Sequence, residues 1–425
     1  MAIAVSDQFD EIFVADFGSN SLLSFTRNQV DETLGFGFSE RGSGLGINGL
    51  QGAETSILSP DGNFLYVAAK EGDAISIFSR NQENGSLTYV DFLEDGGGLD
   101  GLNGVTEIIV STDGSDVYVA GFWDNTVTHF KRDVNTGLLT FSDKEKDGLF
   151  GVDGISGTNS LLFSENQNFL YASGFWDNAI SVFARNSNDG TLEYVDSFFD
   201  GENGIDGLEG ITSLHLNTNQ NKLYALGIND EAIAIFDVDN QNGSLGFEGK
   251  VTAPGAVEME FSPTNDHLYT VNQLTSSVSQ FSIDPSGTLI LDFNYEAAAG
   301  GGNFLGLDNV DNLNVNPNGD LIYFTSRTEN TIAAYRRDLI SGDLTFEKVQ
   351  QNDVENVHSI AGASSVRTSA DGKFIYVTGA EDNSVAVFSC TYFFKETTTI
   401  CEGESVTFSN RNFTETGLYL SLIHI

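Results

Sequence analysis

Three groups of side chains have the types and spacing to do chemistry. The stretch DGENGIDGLEG, residues 200–210, puts Asp200, Glu202, Asp206 and Glu209 in one glycine-rich loop. Calcium takes six to eight oxygen ligands, and these carboxylates supply several of them. The structural alternative is that the glycines permit positive φ while the Asp side chains bond local amides. The pentapeptide GFWDN occurs twice, at 121–125 and 174–178, and sets Trp123 and Trp176 beside a turn. An indole there offers apolar area and an N–H donor, suited to stacking on a sugar, although packing against a neighbour is the plainer use. The third group is His215, Glu258, Glu260, Asn314 and Arg367. In it, His215 or Glu260 could activate water while Arg367 binds an anion or an oxyanion.

What must position these residues is a repeat. An aromatic residue follows another by 12 positions eight times, from Phe13 and Phe25 through Tyr66 and Phe78 to Tyr376 and Phe388. Successive units are 52 to 54 residues apart, except for one step of 45 between Tyr224 and Tyr269. Each unit holds short β-branched and aromatic runs separated by Gly, Asn and Asp, which predicts an antiparallel meander of four strands. One such sheet cannot cover both its faces, so the copies must stack around an axis. The expected fold is therefore an all-β propeller of four-stranded blades over residues 1–390, with eight blades preferred and seven as the alternative.

The repeat assigns places to the three groups. Aligning the first strands on Ser59, Ser111, Ser164, Asn217, Ser262, Asn316 and Ser369 puts Ile57, Ile109, Leu162, His215, Glu260, Asn314 and Arg367 at one equivalent position. Four consecutive units are polar there. Two residues earlier stand Thr55, Glu107, Ser160, Ser213, Glu258, Asn312 and Ser365. Both rows are expected to face the central channel, whose walls are also wet and polar in any propeller. Stretch 200–210 has counterparts near 46, 98, 151 and 306, so it is expected to be a blade-to-blade connector. Its period does not fit calcium rolls built from tandem nonapeptides, and calcium is carried forward as a secondary expectation.

The blade pattern is similar to that of bacterial lactonase-like propellers, relatives of 6-phosphogluconolactonase. The matching stretches are SPDGNFLYVA (59–68), STDGSDVYVA (111–120), DNAISVFARN (177–186) and SADGKFIYVT (369–378). The resemblance implies seven blades and, as one activity among those the fold hosts, lactone hydrolysis in the channel. Farther on, CEGESVTF at 401–408 resembles the opening of immunoglobulin-like modules of large secreted Bacteroidetes proteins, so 391–425 is expected to begin a second β module. Cys390 and Cys401 are candidates for a disulfide.

Composition narrows the partners. Lys and Arg number 19 against 61 Asp and Glu, a formal charge of −42, which repels nucleic acid and anionic membrane surfaces. No apolar run is long enough to span a bilayer, the histidines form no zinc motif, and neither G-x-S-x-G nor a phosphate loop occurs. So few basic residues make a sugar-phosphate pocket hard to build. The sequence alone favours a monomeric, extracellular or cell-surface binding module of a longer chain, taking a small-molecule, carbohydrate or protein ligand. The second expectation is a lactonase acting on a sugar-type lactone.

Overall fold

A computed structural model describes residues 2–6, 11–27, 34–41, 47–217, 219, 221–297, 304–354 and 357–389, and two short paired strands, Val406–Phe408 and Arg411–Phe413. Cys390, Cys401 and most of the expected second module lie outside the described residues. Seven sheets of four antiparallel strands, at 2–41, 53–94, 105–146, 158–199, 211–252, 256–296 and 310–351, are followed by an eighth with three strands at 363–389. These are blades 1 to 8 of a propeller. In each blade the strands are ordered as in the chain, and the first lines the axis.

Blade 8 returns to blade 1. Ile3, Ile12 and Val14 pack against Phe374 and Tyr376, and Arg27 lies 3.3 Å from Asp371, so hydrophobic contact and an ion pair close the ring.

The second and third strands of a blade are sandwiched between neighbours, which is why they are buried even where polar residues such as Thr126, Thr128 and His129 interrupt the apolar ones. Phe64–Ala69 and its seven counterparts are buried along their whole length. Fourth strands are the most exposed of each blade, and Leu245–Thr252 alternates between buried or half-buried and exposed positions. The repeated aromatics bind one blade to the next. The hydroxyls of Tyr66, Tyr118, Tyr224 and Tyr269 donate to the carbonyls of Gly137, Gly190, Gly287 and Gly342, each the glycine of a neighbour's G-x-L turn. At Gly137 the φ of 72° favours glycine, and a Cβ would lie 2.2 Å from the Phe64 ring.

Arginines reinforce some of these seams. Arg132, Arg185 and Arg337 donate from Nε to the hydroxyls of Tyr66, Tyr118 and Tyr269, and pair with Asp61, Asp116 and Asp266. Asp116 also accepts from His129 and Lys131. These partners hold the Asp116 carboxyl far below the usual carboxylate range despite its burial. Blade 5 has Val238 where these arginines stand, and the buried Tyr171 hydroxyl facing it has no partner.

Candidate functional site

The turn between second and third strands explains the dipeptide Asp-Asn. Asn20, Asp73, Asn125, Asn178, Glu231, Ser276, Asn330 and Asn383 all occupy its left-handed position, with φ from 49° to 58°. Most of these side chains also reach the next blade. Asn125, Asn178 and Asn330 accept from the amides of Gly157, Gly210 and Gly362 at 2.6 to 2.9 Å. The preceding Asp holds the connector of its own blade: Asp124, Asp177 and Asp230 accept from the amides of Asn103, Ser156 and Glu209. One dipeptide thus clamps two connectors.

The same economy accounts for the acidic loop. Asp200 accepts from the amides of Gly207 and Leu208 at 3.0 Å, and Asp206 meets Lys250 at 2.6 Å. Asp200 and Asp206 come together with Asp230, which the next blade supplies, whereas Glu202 and Glu209 are not in that group. Similar triads are Asp95, Asp100 and Asp124, with Lys144 on Asp100, and Asp147, Asp153 and Asp177. In two of the triads a pair of carboxylates accepts backbone amides and the third is bonded to an ammonium, whereas Asp153 of the remaining triad has no ammonium partner among the described residues; each triad supplies fewer than the six to eight oxygens calcium takes.

Along the channel, side chains on one first strand hold the backbone of the next. Glu107 accepts from the Leu161 amide, Ser160 from Leu214, Glu260 from Val315, Asn312 from Val366 and Asn314 from Thr368. The polar wall is therefore partly a set of ties between blades. Blade 5 departs from this pattern: the buried hydroxyls of Thr212 and Ser213 have no hydrogen-bond partner.

The polar cluster forms where blades 6, 7 and 8 meet. Glu258 Oε2 accepts from Asn312 Nδ2 at 2.6 Å, and Glu258 Oε1 lies 4.0 Å from Arg367 Nη2. Glu260 Oε1 takes both the Asn314 amide group, at 3.1 Å, and the Val315 N–H. Arg367 Nη1 donates to the carbonyl of its neighbour Val366 at 2.7 Å, and over a third of its side chain is open. Burial pushes both Glu258 and Glu260 up to about 7, in spite of the attraction of Arg367. With both carboxyls near neutrality, the state with one protonated and the other ionised is populated, so one can be acid while the other is base.

The structure thus brings together Glu258, Glu260, Asn314 and Arg367 of the residues singled out in the sequence. His215 is on the neighbouring blade, its ring tilted against Phe261 with centroids 6.0 Å apart. Burial lowers its pKa to about 4, which makes it a weaker base than either glutamate. Asp311 was not anticipated. It lies at a break in strand register between Val310 and Asn312, and burial raises it to about 7 against the pull of Arg327. Such bulges turn a side chain out of the alternating pattern and leave no mark in the spacing.

Trp123 and Trp176 meet on another arc. Their ring centroids are 5.2 Å apart with planes tilted by 45°, and Phe122 packs edge-on against both, at 4.9 and 4.7 Å.

The family model described as Lactonase, 7-bladed beta-propeller matches residues 14–148, 150–305 and 312–413. A 6-phosphogluconolactonase of Enterobacter sp. (strain 638) is 23% identical over 331 residues, spanning 76% of this chain and 90% of its own. Among solved structures, a 6-phosphogluconolactonase candidate from Bacteroides uniformis superposes with a TM-score of 0.60 at 20% identity, covering 81% of this chain and 99% of the other. The periplasmic gluconolactonase of Pseudomonas aeruginosa gives 0.55 at 19% identity, covering 70% and 85%. The family is described with seven blades, whereas this chain forms eight.

Proposed function

The chain belongs to the lactonase family of β-propellers, and we propose that it hydrolyses an uncharged sugar-type lactone at the wall of blades 6 to 8. The observation that carries this is the pair Glu258 and Glu260, both raised to about 7, beside the partly open guanidinium of Arg367. In the proposed step, ionised Glu260 takes a proton from water as the oxygen attacks the lactone carbonyl. Arg367 stabilises the oxyanion of the tetrahedral intermediate. Its collapse breaks the ring C–O bond, and the protonated carboxyl of Glu258 gives its proton to the departing alkoxide. The product is the open hydroxy acid, with one water consumed.

The electrostatics favour a neutral substrate over the phosphorylated lactone in the Enterobacter relative's name. Two guanidinium groups, Arg367 and Arg327, stand among Glu258, Glu260 and Asp311, and a phosphate dianion would have to enter beside three carboxyls. The test is proton release from glucono-δ-lactone, galactono-γ-lactone and 6-phosphoglucono-δ-lactone. Turnover on an unphosphorylated lactone, lost in Arg367→Ala, is expected. A rate equal to the uncatalysed one on all three would sink the assignment.

We further propose an extracellular or cell-surface setting, with the propeller ahead of an immunoglobulin-like module. The charge of −42 and the stretch at 401–408 support it. Detection of the protein only in the cytosolic fraction of its host would count against this reading.

A further inference from the structure

Trp123 and Trp176 are 55% and 44% exposed, whereas the aromatics of the 12-residue repeat are buried or half-buried. The turn does not ask for an indole. Gly104 and Gly157 lie beneath the two rings, and the corresponding glycines of other blades, Gly52, Gly210, Gly255 and Gly362, lie beneath Glu71, Asn229, Leu274 and Glu381. The residue before each Trp is Phe122 or Phe175, while Lys70 and Ile228 hold that place in the flanking blades. Aromatic pairs thus fall on two adjacent blades and touch one another across the seam. The blade repeat does not explain them, and a contiguous exposed apolar patch, unlike a scattered apolar residue, marks an interaction site.

What would cover them follows from the polar groups around the rings. Neither indole N–H has a protein acceptor among the described residues, although Trp123 Nε1 lies close over Gly104. Each Trp precedes an aspartate, Asp124 or Asp177, and both belong to carboxylate triads that offer further acceptors to a donor. At the edge, Lys70 Nζ lies 5.6 Å from the Phe122 ring centre and 3.4 Å from Glu54, adding one donor. A ligand here must present an apolar face and carry groups that both accept and donate hydrogen bonds. A quaternary ammonium supplies no acceptor for the indole N–H groups. A pyranose supplies all three features: axial C–H groups on one face and hydroxyls around the rim.

We propose that this aromatic platform on blades 3 and 4 is a saccharide-binding site, separate from the channel wall of blades 6 to 8. The rings stand only 5.2 Å apart and touch, so they cannot sandwich a sugar between them. They form one continuous bent surface, on which a pyranose lies and along which a chain of pyranoses can continue.

The chain has only these two tryptophans, so its indole fluorescence reports on this platform alone. Purified protein is titrated with maltoheptaose, cellohexaose and chitohexaose, and with tetramethylammonium as the cationic competitor. Saturable change of the emission with at least one oligosaccharide is expected, confirmed by calorimetry. Affinity should fall at least about tenfold in Trp123→Ala and in Trp176→Ala, each checked for an unchanged melting midpoint. Trp123→Phe should keep part of it, since the ring face is retained. No response to any of the three sugars overturns the proposal, and so does a response to tetramethylammonium alone, which would make the platform a cation site. Because the readout is binding and not hydrolysis, its failure leaves the lactonase assignment standing, and the reverse also holds.

Discussion

Blades 2 to 4 and blades 6 to 8 are built on one repeat and put their polarity in different places. In blades 2 to 4 the channel position is apolar, held by Ile57, Ile109 and Leu162, and the unusual side chains crowd the connector face as carboxylate triads and exposed indoles. In blades 6 to 8 the channel position is Glu260, Asn314 and Arg367, and Leu274 replaces Trp on the turn. Blade 5 separates the two arcs. Like blade 6, it lacks the seam arginine of blades 1 to 4 and 7, having Val238 where blade 6 has Ile283, and its first strand leaves Thr212 and Ser213 unbonded. The scaffold therefore tolerates either choice at both positions, and chemistry is placed by single substitutions on a constant meander.

The contrast breaks most sharply in activity. Glu260→Gln keeps the shape and both hydrogen-bonding roles of the side chain while removing the base, so hydrolysis should fall about 10²- to 10⁴-fold, whereas Ile109→Val on the other arc should stay within about twofold. Comparable losses from the two would erase the distinction between the arcs.

Next in size is the seam chemistry. Asp116 is buried and bonded to Arg185, His129 and Lys131, so Asp116→Ala leaves cations without their counter-charge and should cost about 3–5 kcal/mol in denaturant unfolding.

A pH series tests the wall from another side. Glu107, Glu258, Glu260 and Asp311 have native pKa values raised to about 7, so between the unfolded value, near 4.5 for Glu and 3.8 for Asp, and 7 the folded state holds more protons than the unfolded one. Stability from these groups is thus highest at the acidic end of that window and declines as pH rises through it. Asp116, Asp266 and Asp371 act oppositely, contributing stability that is lost only as pH falls below the normal carboxylate range, and His215, lowered from 6.5 to about 4, opposes the four carboxyls as a single group below 6.5. The melting midpoint should therefore be higher at pH 5 than at pH 8, and the difference should shrink in Glu260→Gln. A midpoint that rises from pH 5 to pH 8 would contradict the burial of these carboxyls.

The smallest effect separates two tyrosines. Tyr118→Phe removes a hydroxyl that donates to Gly190 and accepts from Arg185, and should cost about 1–2 kcal/mol. Tyr171→Phe removes an unpartnered buried hydroxyl and should be neutral or slightly stabilising. Equal losses would mean that the seam at Tyr171 is bonded like the others.

Much of this was legible in the sequence because the repeat is regular. Aromatic spacing and turn residues gave eight blades, and alignment on the turn serines put Glu260, Asn314 and Arg367 in one row, with Glu258 two residues before Glu260. Other features depend on partners far apart in the chain. Arg132 meets Tyr66 and Asp61 across a seam, 66 and 71 residues away, and no local pattern joins them. Asp206 meets Asp230 from the following turn, which is why proximity in sequence pointed to Glu202 and Glu209 instead. His215 belonged to the polar row by register, yet burial makes it a weak base, a property that depends on its surroundings and not on its position.

The central claim is tested most directly by the pH dependence of glucono-δ-lactone hydrolysis by the unmodified protein, corrected for the uncatalysed rate. With Glu260 needed ionised and Glu258 needed protonated, and both near 7, kcat/KM should pass through a maximum close to neutrality and fall on both sides. A flat profile, or no turnover above the uncatalysed rate, would contradict catalysis at this wall.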